Sequence, residues 1–245
     1  MNIRRTTALL KMLLLKAFRE PAYIFLMLLF PAVLTIMFGF IFGDPEFGMS
    51  MNATAPGLFA YACIFIIMTV AQSFTDMRDQ GLLKRLNTTP MKPSDFMGGE
   101  IISNMILVIL QVIIVYLLAL PFGFTPDTNF FGILLAFLLM IVFSLSSVGL
   151  GLITASISKS SGTATGLSFI FILPQMFLGT FIPVTSTTEP FALLMPSYHA
   201  VQVLTAIFRG DLTSSAVFVG FFYTTIVSMG IIILGLYLFK KFGNK

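Results

Sequence analysis

Six uncharged, predominantly apolar stretches divide the chain, and polar or charged segments separate them. The stretches cover about residues 24–42, 57–74, 101–120, 130–157, 162–182 and 217–239. The hydrocarbon core of a bilayer is about 30 Å thick, and about 20 helical residues cross it. The pattern therefore predicts an all-α integral membrane protein with six transmembrane helices, forming a single transmembrane domain over residues 1–245.

The segment before the first span, residues 1–22, has the pattern of an amphipathic helix. On a helical wheel its basic residues share one arc and face an apolar side. The basic residues are Arg4, Arg5, Lys11, Lys16 and Arg19, and the apolar ones include Ile3, Leu10, Leu13, Leu14 and Ala17. This predicts an interfacial helix on the cytoplasmic leaflet, with a solvated basic tail as the alternative.

Two of the connecting segments are long. Residues 75–100 form a charged loop between the second and third spans, and residues 183–215 separate the fifth span from the sixth. In the second segment, several side chains recur at helical spacing and predict a short amphipathic helix at the outer interface. They are Tyr198, Val201, Leu204, Thr205 and Phe208.

The distribution of charge predicts the orientation of the spans. With six spans, all of the 14 lysines and arginines except Arg209 fall on one side. Cytoplasmic loops of membrane proteins retain basic residues, so that side is predicted to be cytoplasmic. The acidic residues of the opposite side are Asp44, Glu46, Asp127, Glu189 and Asp211. Both termini are then cytoplasmic in a multi-pass protein of the cell membrane.

Composition narrows the possible functions. The chain is 57% hydrophobic and 10% charged, and a water-soluble domain of this composition could not cover its apolar surface. Its net charge of +4 comes from residues between apolar runs, which disfavours nucleic-acid binding. A lone Cys63 excludes an intramolecular disulfide, and the only histidine, His199, has no carboxylate nearby in sequence. No catalytic, metal-binding or cofactor-binding residue is therefore predicted.

Nucleotide binding and ion coupling by the chain itself are also disfavoured. The sequence has no glycine-rich P-loop, so any ATP-driven role needs a separate ATPase. None of the six predicted spans holds Asp, Glu, Lys, Arg or His, whereas ion-driven transporters usually place such groups at membrane depth. A secondary transporter is therefore disfavoured.

Mild polar and small residues within the spans have two predicted uses. Side-chain amides could line a substrate pathway, and these are Gln72, Asn104, Gln111 and Gln175. Small residues at intervals of four allow close helix packing. They are Ser147, Gly151 and Ala155 in the fourth span and Gly162 and Gly166 in the fifth.

The loop after the second span resembles that of the type-2 ABC exporter permeases. Their pattern Arg-Glu-x-Gly-x-x-x-x-Leu-x-x-x-Pro is matched by Arg78, Gly81, Leu86 and Pro90. Asp79 stands where the family usually has glutamate, and Glu100 stands where lysine is common. A second resemblance covers 173–183 and 195–198, which are similar to the family's fifth span and the segment after it.

The resemblance implies a transport subunit that is not itself an enzyme. A separate ABC ATPase would bind ATP and magnesium, and the permease would form a homodimer or a heterodimer with a similar permease. The loop would contain a short coupling helix that docks in the ATPase. The residues implied in coupling are Arg78, Asp79, Gly81, Leu82, Leu83, Lys84, Arg85, Leu86 and Pro90.

The abundance of Phe and Met, 28 and 15 residues, and the uncharged spans favour an apolar or amphipathic substrate such as a drug-like molecule, a lipid or a hydrophobic peptide. Two alternatives stay open. One is a passive channel or structural membrane component. The other is a lipid-processing intramembrane enzyme, in which Asp76, Asp79 and Asp95 would have to come together.

Overall fold

The computed structural model describes residues 3–19, 21–42, 50–81, 93–181 and 184–242, and these residues contain helices and turns but no β-strand. They include a 3₁₀ turn at Leu120–Phe122 and a π-helical turn at Phe177–Phe181. The α-helices are α1 Ile3–Arg19, α2 Pro21–Phe42, α3 Met51–Ile64, α4 Ile66–Asp79, α5 Pro93–Ala119, α6 Phe130–Ile157, α7 Ser161–Met176, α8 Glu189–Ala192, α9 Pro196–Phe208 and α10 Ser215–Phe242.

Five stretches of described helix are long and apolar enough to cross a bilayer. They are Met51–Asp79, Met97–Phe122, Phe130–Ile157, Ser161–Thr180 and Ser215–Phe242. A shorter apolar segment, Leu28–Ile41, lies within α2. The prediction of an all-helical, membrane-type protein is confirmed to this extent, while the count of six spans stays a prediction.

The stretch Met51–Asp79 is the most enclosed of the five, because 89% of its apolar part is buried inside the molecule. It consists of α3 and α4, which are separated by a single turn at Phe65. It extends beyond residues 57–74 at both ends, so Thr75, Asp76 and Arg78 are helical here. Helix α4 packs against α6 and α7, and this packing supports helix formation in a segment whose charges suggest a loop.

Helices α6 and α10 run in the same direction and approach closely through glycines. A Cβ on Gly235 would lie 2.4 Å from the carbonyl oxygen of Gly149, and one on Gly149 would lie 2.8 Å from that of Ile231. Nearer the start of both helices, a Cβ on Gly132 would lie 3.2 Å from Leu212. Because glycine has no side chain, the two helix backbones come into direct contact here, as is typical of packing between membrane helices.

Helix α1 packs against α5. Leu9 and Leu13 of α1 are buried, and a Cβ on Gly99 of α5 would lie 2.6 Å from Leu9 Cδ2. Lys11, Met12 and Leu15 are exposed on the same helix. One face of α1 is thus fixed to the helical bundle, and its position at a membrane surface stays a prediction.

Candidate functional site at the end of α4

The residues that carry the predicted coupling function begin at the end of α4. The last turn closes with hydrogen bonds from Gln80 N to Asp76 O and from Gly81 N to Arg78 O, both 2.9 Å. Gly81 has φ +68°, a left-handed conformation that glycine adopts at little cost and that ends many helices. Helix α4 therefore ends at Gly81. The predicted residues Leu82, Leu83, Lys84, Arg85, Leu86 and Pro90 lie outside the described residues.

Arg78 faces inward and contacts the end of α6. Its Nη1 donates to the carbonyl oxygen of Ala155 at 3.2 Å, and its Nη2 donates to that of Ser158 at 2.5 Å. The last carbonyls of a helix have no partners within the helix. Ser158 N supplies one for Thr154 O, and the Arg78 guanidinium supplies one for Ala155 O. Arg78 therefore caps α6 and ties α4 to the turn between α6 and α7.

Asp79 differs from Arg78 in its exposure. Its carboxylate Oδ1 lies 3.7 Å from Arg78 Nε, and the side chain is 44% exposed, compared with 17% for Arg78. An exposed ion pair of this kind contributes little to stability. Asp79 is thus available to a partner, whereas Arg78 is largely committed to contacts within the chain.

Two further polar contacts join the same half of α4 to α7 and α5. Gln72 Nε2 donates to Thr165 Oγ1 of α7 at 2.6 Å. Ser73 Oγ lies 3.5 Å from the Glu100 carboxylate of α5, whose other oxygen accepts from Asn104 Nδ2 at 3.2 Å. Contacts from α4 therefore reach α5, α6 and α7. The site contains two of the predicted lining residues, Gln72 and Asn104.

Glu100 is a buried ionisable side chain that lies directly before the predicted third span, residues 101–120. The apolar helical stretch Met97–Phe122 of the structure begins before that span and includes Glu100, which is only 3% exposed. The sequence places this residue just before the span and identifies it only as a departure from the family pattern. A carboxylate directly before a long apolar run, four residues from Asn104, is the signal that could have indicated a buried polar pair.

The other two predicted lining amides lie elsewhere. Gln111 is buried in α5, about 10 Å along the helix from Asn104. Gln175 is buried near the other end of α7, about 15 Å along that helix from Thr165. The structure therefore does not bring the four amides together as one lining.

The predicted packing residues also divide into two groups. A Cβ on Gly151 would lie 2.7 Å from Val70 Cβ of α4, and Ser147 and Ala155 are fully buried. Gly162 and Gly166 of α7 are exposed, and a Cβ on either would meet no described atom within 4 Å. The face containing Gly151 thus packs within the chain, whereas none of the described residues covers the Gly162 face.

Comparison with known proteins identifies the family of the chain. The family described as ABC-2 type transporter matches residues 4–209. A similar protein is the daunorubicin resistance ABC transporter permease protein DrrB1 of Streptomyces coeruleorubidus, with 24% identity over 174 residues and 68% of this chain covered. The chain spans 60% of that relative's length. The family match covers most of the chain, including the end of α4, and confirms the resemblance seen in the sequence. The chain belongs to the ABC-2 type transporter permeases.

Proposed function

We propose that the chain is the membrane-spanning subunit of an ATP-driven exporter whose energy comes from a separate ABC ATPase. The proposal rests on the contacts made by the end of α4. An enclosed helix ends at Gly81, directly before the basic segment 82–92 in sequence, and its last turns form hydrogen bonds with three neighbouring helices or their ends. A force applied to this segment would therefore reach several helices at once.

In the proposed topology α2 is the first of six spans in the cell membrane, and both termini are cytoplasmic. Helix α2 has 22 residues, or about 33 Å, enough to cross the hydrocarbon core. Helix α1 would lie on the inner leaflet with Lys11 and Arg19 exposed. Reporter fusions before Met1 and within 43–49 test whether α2 crosses the membrane, and fusions within 211–214 and after Lys245 test the orientation. The first and last should report the cytoplasmic side, and the two others should report the opposite side.

We propose an amphipathic, drug-like substrate, with lipids and hydrophobic peptides as the other candidates. The relative DrrB1 is named for daunorubicin resistance, which supports this class of substrate. The apolar character of the spans supports it too. Daunorubicin accumulation in cells that express the chain with its ATPase tests the choice. Lower accumulation than in cells with a hydrolysis-deficient ATPase supports export, and equal accumulation of daunorubicin removes this molecule from consideration.

ATPase binding is tested by capture from native membranes in mild detergent. The variant is Lys84→Glu/Arg85→Glu in the proposed coupling segment, and the matched control is Lys240→Glu/Lys241→Glu at the end of α10. We expect wild type and the control to retain a P-loop ATPase and the segment variant to lose it. Stable wild type without any ATPase would contradict the proposal and favour the passive channel.

We also propose that a second permease copy covers the open Gly162 face of α7. Small residues allow close helix approach, and Gly162 and Gly166 have no such neighbour among the described residues. Gly162→Cys should cross-link to a second copy in native membranes. Gly230→Cys on α10 is a matched control, because Gly230 is equally exposed and equally open. Cross-linking of both, or of neither, would contradict this interface.

A further inference from the structure

Gln175 is a buried amide that finds no hydrogen-bond partner in the described part of the chain. The side chain is 2% exposed, and neither Nε2 nor Oε1 has a hydrogen-bond partner among the described residues. Buried hydroxyls in these helices usually bond to their own backbone, as Ser168 does to Ala164 O. Gln175 lies on the same buried face of α7 as Ser168 and Ile172, where an apolar side chain of similar size would avoid the cost of an unpaired amide.

The backbone around Gln175 is irregular. Pro174 precedes it inside α7 and cannot donate a backbone hydrogen bond, and the π-helical turn begins two residues after it. Single π-helical turns inside α-helices are frequent at functional sites. The end of α7 is therefore a place where the helix can change its path without breaking a regular hydrogen-bond ladder.

Two contacts hold this end of α7 in place. Ser197 Oγ of α9 donates to the carbonyl oxygen of Gln175 at 3.0 Å and lies so close to Gly179 that a Cβ there would clash with it. On the other side, Thr180 O would lie 3.2 Å from a Cβ on Gly57 of α3. Separation of α7 from α9 would thus release the backbone at Gln175 and the π-helical turn after it, while the contact between Gln72 and Thr165 still holds the start of α7.

We infer that the Gln175 amide is a hydrogen-bonding contact for the exported molecule, uncovered when the π-helical end of α7 separates from α9. The inference rests on the proposed export function. A primary amide both donates and accepts, and α7 and α9 contain no Asp, Glu, Lys or Arg. The contact therefore takes a neutral group with a donor and an acceptor side by side, such as an amide or a hydroxy ketone, on an apolar body.

Uncovering is tested by cysteine labelling of the assembled transporter. The unsubstituted chain is the control for background labelling, because its one cysteine, Cys63, is buried. Gln175→Cys should react with a small charged methanethiosulfonate about ten-fold faster during ATP hydrolysis than without nucleotide, as expected for a site exposed in a minor state. Ser168→Cys, on the same face of α7 and away from the π-helical turn, should stay slow. Unchanged labelling of Gln175→Cys in a complex that hydrolyses ATP would overturn the inference and leave the export function standing.

Recognition is tested with a pair of probes on the same complex. Benzoin is an apolar hydroxy ketone, and benzoin methyl ether lacks its donor. In wild type, benzoin should stimulate ATP hydrolysis more strongly than the ether, and Gln175→Met should remove the difference while Ser168→Ala keeps it. Equal responses of wild type to both probes would overturn the inference.

Stability distinguishes a ligand contact from a structural amide. Replacing an unpaired buried amide by an apolar side chain should leave the Tm of Gln175→Met unchanged or raise it by about 2–4 °C. A Tm below that of wild type would mean that the amide is needed for folding, and the inference would fail. Absence of any ATPase from the wild-type complex would instead count against the proposed function itself.

Discussion

Replacement of Arg78 by methionine tests whether this residue stabilises the bundle or faces the ATPase. Methionine keeps most of the aliphatic length but removes the guanidinium, which donates to Ala155 O at 3.2 Å and to Ser158 O at 2.5 Å. Both carbonyls would then lose their partner at the end of α6. Ser158 is itself buried, so water reaches this point poorly.

The expected loss can be worked out from these contacts. A hydrogen bond from a charged group contributes about 1.5–3 kcal/mol, and a cation at a helix C-terminus adds about 0.3–1 kcal/mol. The side chain is 17% exposed, so part of this is screened by solvent. We expect the variant to lose about 3 kcal/mol, which corresponds to a Tm lower by about 6–12 °C for a chain of this size.

The assay is thermal unfolding of the purified chain in detergent without its ATPase. Arg78→Lys should fall between wild type and Arg78→Met, because lysine keeps the charge but not the forked donors. Asp79→Asn is the matched control and should stay within about 1 kcal/mol of wild type, since its ion pair is long and exposed. An unchanged Tm for Arg78→Met together with loss of ATPase capture would refute the reasoning and show that the guanidinium faces the partner.

Three further substitutions test the packing, two by thermal unfolding and one by proteolysis. Gly235→Ala should destabilise the chain by about 1–3 kcal/mol because the new Cβ would meet Gly149 O, whereas Gly230→Ala should be tolerated. Gly81→Ala should cost about 1–2 kcal/mol through its left-handed conformation and should also weaken ATPase capture if the direction of the chain after α4 matters. Leu9→Ala should leave the spans folded but increase proteolysis within α1, since it removes the contact with α5. Equal stability of Gly235→Ala and Gly230→Ala, or unchanged proteolysis of Leu9→Ala, would contradict these packing arguments.

Five of the six apolar stretches of the sequence coincide with helices long enough to cross a bilayer, because membrane solvation depends on the length of apolar stretches. The errors of the prediction fall at the ends of α4 and α5, where charged residues continue a helix. The pattern of apolar and charged residues places Arg78 in a loop, because the pattern contains its charge but not the groups to which it bonds. Those partners are carbonyl groups of a helix about 80 positions away in sequence, which no local pattern shows. Glu100 is hidden for the same reason, since Ser73 lies on another helix.

Small-residue spacing predicts that a face can pack closely, but it does not identify the partner. Gly151 contacts α4 as its spacing allows, and Gly162 has the same kind of spacing but no described neighbour. The contact between Gly149 and Gly235 is missed because two single glycines in separate spans do not form a repeat. Partner choice depends on how all helices are arranged, and this is a property of the whole bundle.

The polar contacts of α4 limit how the proposed transporter can move. A displacement applied at Gly81 cannot shift α4 alone, because Arg78 would have to release the end of α6 and Gln72 would have to release Thr165 of α7. Breaking both contacts costs more than moving α4 together with the α6–α7 turn, so the latter is the expected motion. Helix α7 would then receive the displacement at its start, near Thr165, and could yield at the π-helical turn near its end. The irregular turn beside Gln175 is thus the place in α7 where a motion that begins at the ATPase would have its largest effect.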